Sequence, residues 1–213
     1  MGNIYGDGTW YVSLFGGVSF ANSAKTRATA TTTTGTFTTA TANITQRFKD
    51  GFSVGIAAGK QLTDIFRAEV ELSYSKVKNK NLSLTTVTTG SSTTFGIGGN
   101  TNALYVLGNV WADLDIGQKF TPYVGGGLGV AFMKNKISTG TSSISDKSQG
   151  FAFQLGAGVK YPVSPVMDIE IGYRYKSVLN PNYSFVGGAL KFNNQDFDTH
   201  NVFAGLTYRF GVP

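Results

Sequence analysis

His200-Asn201-Val202-Phe203-Ala204-Gly205-Leu206-Thr207-Tyr208-Arg209-Phe210 is the stretch whose reading decides the fold. Taken with a period of two, Val202, Ala204, Leu206, Tyr208 and Phe210 share one face. Phe203, Gly205, Thr207 and Arg209 share the other. The first face is continuously apolar and ends in two aromatics; the second is mostly small, polar or charged. Side chains alternate across a β-strand, so the pattern describes a strand lying between two unlike environments.

Seven earlier segments repeat it, at 10–20, 52–60, 66–76, 103–113, 120–132, 151–161 and 167–176, with 200–210 as the eighth. The clearest is 66–76. There Phe66, Ala68, Val70, Leu72 and Tyr74 alternate with Arg67, Glu69, Glu71, Ser73 and Ser75. An amphipathic helix is excluded, because charges at every second position would be spread around its cylinder. The connections alternate as well. Those after the second, fourth and sixth segments are short turns. Those at 21–50, 78–100, 134–148 and 177–199 are long, rich in Thr, Ser, Gly and Asn, and expected to be loops. A soluble sandwich has no reason to sort its loops by parity. An all-β, up-and-down antiparallel barrel in an outer membrane does, with short periplasmic turns and long extracellular loops. The expectation is one transmembrane barrel domain of eight strands over residues 1–213.

Alternation does not say which face is outside, since a soluble lipocalin-type barrel would put its apolar residues within. Two features favour an apolar exterior. The polar faces carry Arg67, Glu69, Glu71, Asp113, Lys160, Asp168, Glu170, Arg174 and Arg209, close to charge balance and set among Gly, Ser and Thr, as a cramped interior requires. Aromatics also gather at the strand ends of the apolar face. Trp10, Phe66, Phe120, Tyr161, Tyr208 and Phe210 lie towards the short turns; Phe20, Phe52, Tyr74, Phe132, Phe151 and Tyr175 lie towards the long loops. Two such belts belong at the two water–lipid boundaries. Tyr105 and Trp111 face inward, and Gly125, Gly127 and Gly129 on the next strand are expected to leave room for them.

Composition agrees. The 213 residues include 28 Gly, about twice average usage, and no Cys, which removes disulfides, thiol nucleophiles and thiolate metal sites. No run approaches the roughly 20 apolar residues of a membrane helix. The chain begins Met1-Gly2-Asn3 without a basic-then-apolar leader, so an exported form is expected to have lost its signal peptide. The net charge of +6 suggests nucleic acid less than it suggests the outer end of the barrel. Lys25, Arg27, Arg47, Lys49, Lys76, Lys78, Lys80, Lys134, Lys136, Lys147, Lys176 and Lys191 lie on or beside the long loops, opposed by Asp50, Asp146, Asp196 and Asp198. Their expected partners are lipopolysaccharide phosphates in the surrounding membrane, with an acidic host glycan or protein as the sharper alternative.

Gly205-Leu206-Thr207-Tyr208-Arg209-Phe210, Arg67-Ala68-Glu69-Val70-Glu71-Leu72-Ser73-Tyr74, Pro122-Tyr123-Val124-Gly125-Gly126-Gly127-Leu128-Gly129 and Gly156-Ala157-Gly158-Val159-Lys160-Tyr161-Pro162-Val163 resemble small outer-membrane barrels, the opacity-type surface proteins and surface antigens in particular. The resemblance covers the strands and implies a Gram-negative outer membrane with surface exposure. It makes the leading expectation a loop-displaying scaffold, antigen- or adhesin-like and envelope-stabilising. A small porin is the alternative. An eight-stranded interior is just wide enough to be filled by side chains, which favours a plugged lumen and a structural, ion-paired role for its charges. Some eight-stranded barrels are lipid-modifying enzymes with a Ser and a His at the outer rim. His200 is the sole imidazole, and its in-phase neighbours are Asp198 and Val202, with no nucleophile among them. No enzyme activity, cofactor, metal or nucleic-acid partner is expected, and the oligomeric expectation is a monomer.

Overall fold

The computed structural model describes residues 8–22, 24–32, 38–86, 92–96, 98–139, 142–179 and 196–210. In chain order the strands are β1 Trp10–Ala21, β2 Ala24–Thr32, β3 Thr38–Gln61, β4 Phe66–Thr86, β5 Ser92–Gly96, β6 Gly98–Asp113, β7 Thr121–Thr139, β8 Ser142–Ser164, β9 Met167–Leu179 and β10 Phe197–Phe210. Eight of them, β1-β3-β4-β6-β7-β8-β9-β10, form an antiparallel ring. The ring closes where β10 pairs with β1, from Trp10↔Phe210 to Ala21↔Thr199. Each of the eight expected segments supplies one wall strand, so the barrel is closed, antiparallel and all-β. The two remaining strands, β2 and β5, pair with the upper parts of β3 and β4 outside the ring.

The wall is apolar on its outside. Val70, Leu128 and Ile171 are more than 60% exposed, whereas Glu71 in the lumen is 0% exposed and Arg67 4%. Leu72 and Leu206 also face outward. A continuous apolar exterior around a charged interior is stable only if hydrocarbon replaces water at the wall. Both aromatic belts lie on that exterior. Ring closure leaves no open sheet edge in the lipid, where an unpaired backbone group would cost several kcal/mol.

The long connections differ from the expected loops. In place of loops at 21–50 and 78–100, β3 and β4 continue to 24 and 21 residues, and β7 and β8 reach 19 and 23. Crossing the membrane needs roughly 9–11 residues of tilted strand, so these strands rise well above it. Thr, abundant in these stretches, is β-branched and suits an extended backbone, which outweighs the low apolar content. The short connections are as expected in place and size, although Phe120 lies in a turn and β7 starts at Thr121. Part of the last long connection, 180–195, lies outside the described residues.

The β3–β4 ladder is irregular in two places. Asp50 and Gly51 together oppose Val77 alone, and Lys80 is an extra residue opposite the Arg47–Phe48 step. A bulge of one residue reverses which face the following side chains take. Beyond it Arg47 and Lys49 are exposed, while Phe48 is drawn inward against Phe197, with ring centroids 5.7 Å apart. At Gly51 the backbone runs so close to the Lys76 carbonyl that a Cβ would overlap it.

Inward glycines make space for inward rings. Trp111 and Tyr123 meet edge to face at 5.5 Å. A Cβ at Gly125 would meet the Trp111 ring at 2.8 Å, and one at Gly158 would meet the Tyr123 hydroxyl at 2.6 Å. The expected pairing holds for Gly125 and Trp111. Gly127 instead faces Asn109, and Gly129 lies against Leu107 rather than Tyr105. Gly158→Leu is therefore expected to destabilise the barrel by about 1–3 kcal/mol through overpacking. The measurement is the urea midpoint in detergent micelles, followed by the gel-mobility difference between folded and heated protein. Ile171→Val, on the lipid side, should leave that midpoint nearly unchanged.

Candidate functional site in the lumen and on the outer wall

Among the described residues, the lumen contains ten buried charged side chains, five of each sign: Arg67, Lys160, Arg174, Lys176 and Arg209 against Glu69, Glu71, Asp113, Asp168 and Glu170. Lys176 is a correction. Its position beside a long connection put it with the exterior cations, but it is 3% exposed, and its ammonium donates to Glu71 Oε1 and, at 2.7 Å, to Ser73 Oγ. Lys176 is in phase with Arg174, and the alternation of β9 slips only at Ser177, which is buried beside it. With Lys176 inside, the charges of the described interior balance.

The charges form two connected tiers. Towards the short turns, Arg209 pairs with Asp168, and Asp113 accepts from Lys160 at 2.6 Å and Arg67 at 3.1 Å. Arg67 also reaches Glu69 at 3.4 Å, and the Tyr11 hydroxyl donates to that carboxylate at 3.0 Å. Glu170 accepts from the Tyr123 hydroxyl at 2.7 Å. Nearer the outside, Glu71 is the hub. It accepts from Arg174 at 2.8 Å, Gln154 at 2.7 Å, Asn109 at 3.0 Å and from Lys176. Arg174 is also held between the Phe15 and Phe203 rings, 4.2 and 4.4 Å from their centroids. Those two phenylalanines sit on otherwise polar faces because they flank a cation. This contact could have been suspected from their parity alone.

Above the charges lies an apolar layer of Val77, Ala103, Tyr105, Leu107, Met133 and Val178, with Phe197 and Phe48 at its edge. A charged network capped by packed apolar side chains is a filling. The same groups have the look of acid–base machinery, but each carboxylate here is held by cations or hydroxyls of the filling itself, most of them reaching across the lumen.

His200 is on the outer wall, as its parity predicts. Its Nδ1 shares a hydrogen bond with the Tyr173 hydroxyl, and its ring stacks on that of Tyr173. Among the described residues, no group of three His, Cys, Asp or Glu is placed to hold a metal.

The exterior cations divide by position. Arg47, Lys49, Lys78, Lys80, Lys134, Lys136 and Lys147 are exposed and Lys76 is half-buried, all on β3, β4, β7 and β8. Lys25 and Arg27 belong to β2, opposite Thr45 and Asn43, and their side chains lie outside the described residues. Lys191 also lies outside them.

An apolar wall in two aromatic belts, a neutral charged filling, tight turns at one end and tall strands at the other define a β-barrel of the bacterial outer membrane. The model of the outer membrane protein beta-barrel domain matches residues 10–210, and the chain belongs to that family. An uncharacterised Brucella abortus protein is 26% identical over 197 residues, covering 76% of this chain and 69% of its own length. A Rickettsia prowazekii protein with a provisional adhesin name is 22% identical, covering 97% of this chain and 89% of its own. Among solved structures, Neisserial surface protein A superposes with a TM-score of 0.50 at 18% identity, covering 94% of this chain and 97% of its own. OprG from Pseudomonas aeruginosa gives 0.50 at 14%, covering 96% and 98%. These likenesses establish the fold.

Neutralising the hub should show how the filling is held. Glu71→Gln keeps the shape but leaves Arg174 and Lys176 without their carboxylate. It is expected to lower stability by about 3–5 kcal/mol, the cost of an uncompensated buried charge. Urea unfolding of the refolded protein measures this, and a change below about 1 kcal/mol would mean the ion pairs are dispensable.

Proposed function

We propose that this protein is a non-enzymatic outer-membrane scaffold whose tall strands display a contact surface outside the cell, adhesin-like in action and stabilising to the envelope. The observation that carries this reading is the height of one side of the wall. β3, β4, β7 and β8 are about twice as long as the membrane requires, and β2 and β5 widen β3 and β4 into a sheet above it. A paired sheet fixes the positions of side chains that a free loop would scatter, which reduces the ordering cost of binding. The provisional adhesin name of the rickettsial relative supports the same reading.

The basic character of the sheet points to acidic partners of two kinds, lipopolysaccharide in the surrounding membrane and an anionic glycan or protein from outside. The sheet above the membrane is assigned to the second. Heparin is a suitable probe. Replacing Lys25, Arg27, Arg47 and Lys80 by Gln should weaken heparin binding by the detergent-purified protein at least tenfold. It should also reduce attachment of cells displaying it. Binding that survives all four changes would overturn the adhesive reading.

The alternative, a small porin, is opposed by the filled lumen and its apolar cap. In planar bilayers the protein should show no steady conductance. Regular openings altered by Glu71→Gln would instead establish a pore through the charged tier.

A further inference from the structure

The exposed lysines nearest the membrane are arranged in a way that the contact surface above them does not explain. Lys49 on β3 stands directly opposite Lys78 on β4, and Lys134 on β7 directly opposite Lys147 on β8. Directly opposed like charges destabilise an antiparallel pair, whose facing Cβ atoms are only about 4.5–5.5 Å apart. The two rows are bridged by asparagines. Asn102 pairs with both Lys76 and Lys134, and Asn100 with both Lys78 and Lys136. None of the ion pairs among the described residues reaches Lys49, Lys76, Lys78 or Lys134. One aspartate, Asp50, stands exposed beside Lys49.

Height and direction identify what meets these cations. Lys76 is the next outward residue after Tyr74, and Lys134 the next after Phe132. Lys49 follows Phe52 across the bulge. Tyr74, Phe132 and Phe52 form the outer aromatic belt, so the first position beyond each is at headgroup level. The lysines also share the outward parity of the lipid-facing residues. Their ammoniums therefore spread radially over the headgroups, away from the lumen. The opposite side of the barrel is different. Among the described residues, the outward positions of β9, β10 and β1 carry no Lys or Arg, and at this level present Tyr175, His200, Asp198 and Phe20.

We propose that the outer wall over β3, β4, β6, β7 and β8 is a binding arc for phosphorylated glycolipid headgroups of the outer leaflet. Each opposed lysine pair clamps one phosphate, and the arc over β9, β10 and β1 binds none. The phosphate relieves the repulsion that the sheet register imposes, and the acyl chains of the same lipid lie along the apolar wall below. This deepens the lipopolysaccharide part of the proposed function and rests on it. It does not rest on adhesion to an outside partner.

The test uses the full chain in nanodiscs of phosphatidylcholine containing a minor fraction of diphosphoryl lipid A, or of the same glycolipid stripped of phosphate. Native mass spectrometry counts the glycolipid retained. The wild type should retain diphosphoryl lipid A at least fivefold over the dephosphorylated form. K49Q/K78Q and K134Q/K147Q should each lose part of that preference, and the quadruple variant nearly all of it. K119Q, on a short turn, should behave as wild type. Gel mobility of unheated samples verifies that each variant is folded. Equal retention of the two lipids, or a preference unchanged in the quadruple variant, would overturn the proposal. So would a quadruple variant that keeps its lipid preference but loses heparin binding, since the lysines would then belong to the outside partner. Loss of lipid preference with heparin binding intact supports the arc and leaves the adhesive reading to its own experiment.

Discussion

Everything in this molecule follows from the intolerance of hydrocarbon for an unpaired backbone group. A flat sheet in lipid would leave two edges of bare N–H and C=O groups, so the wall must close, as it does where β10 meets β1. Closure encloses a narrow cylinder that the inward faces have to fill. The outward faces are committed to the lipid, so the lumen receives what cannot go there: the ionisable groups. The ten charges described there are tolerable because they are equal in number by sign and held by partners, in the networks around Asp113 and Glu71, in the Arg209–Asp168 pair and by the Tyr123 hydroxyl on Glu170. Large rings complete the filling where glycines on adjacent strands give way.

The same constraint separates the protein into zones of different freedom. Within the membrane, each residue has a face dictated by lipid or by the filling, and the register leaves little choice. Above the outer belt that dictation ends, and there the molecule becomes asymmetric. The strands of one side continue upward as a paired sheet with its cations, while β1, β9 and β10 stop at 12, 13 and 14 residues. The bulge at Asp50 and Gly51 marks the border. It turns β3 over, so that a phenylalanine caps the lumen and two cations face outward.

Much of the transmembrane part is legible in the chain because a period of two leaves each residue a choice between two sides. Arg67, Glu69 and Glu71 against Ala68, Val70 and Leu72 already place the wall and the filling. The polar companions of those charges are legible only as a set. Nothing local pairs Glu71 with Arg174, which lies 103 residues away, because that meeting depends on the curvature of the closed sheet. Lys176 keeps the inward parity of Asp168, Glu170 and Arg174, and it is misplaced only when its nearness to a long connection is weighted above that parity. The tall strands are hidden by composition. Threonine-rich stretches poor in large apolar residues read as loops, although their β-branched side chains pair readily once β3 and β4 supply a template. The apolar cap drew Phe48, Val77 and Phe197 from those same stretches or their borders, so it had no signature of its own.

The ring has a consequence for the order in which the protein can be made. Lys176 and Arg174 come from β9 and Glu71 from β4, and the seam needs β10 to find β1. The upper tier of the filling therefore gains little until β9 has arrived, and no earlier fragment could rest in the bilayer with Glu71 already matched by its cations. Contacts so distant along the chain make spontaneous closure slow. Such a chain depends on being kept unfolded and soluble until its final hairpin is at hand.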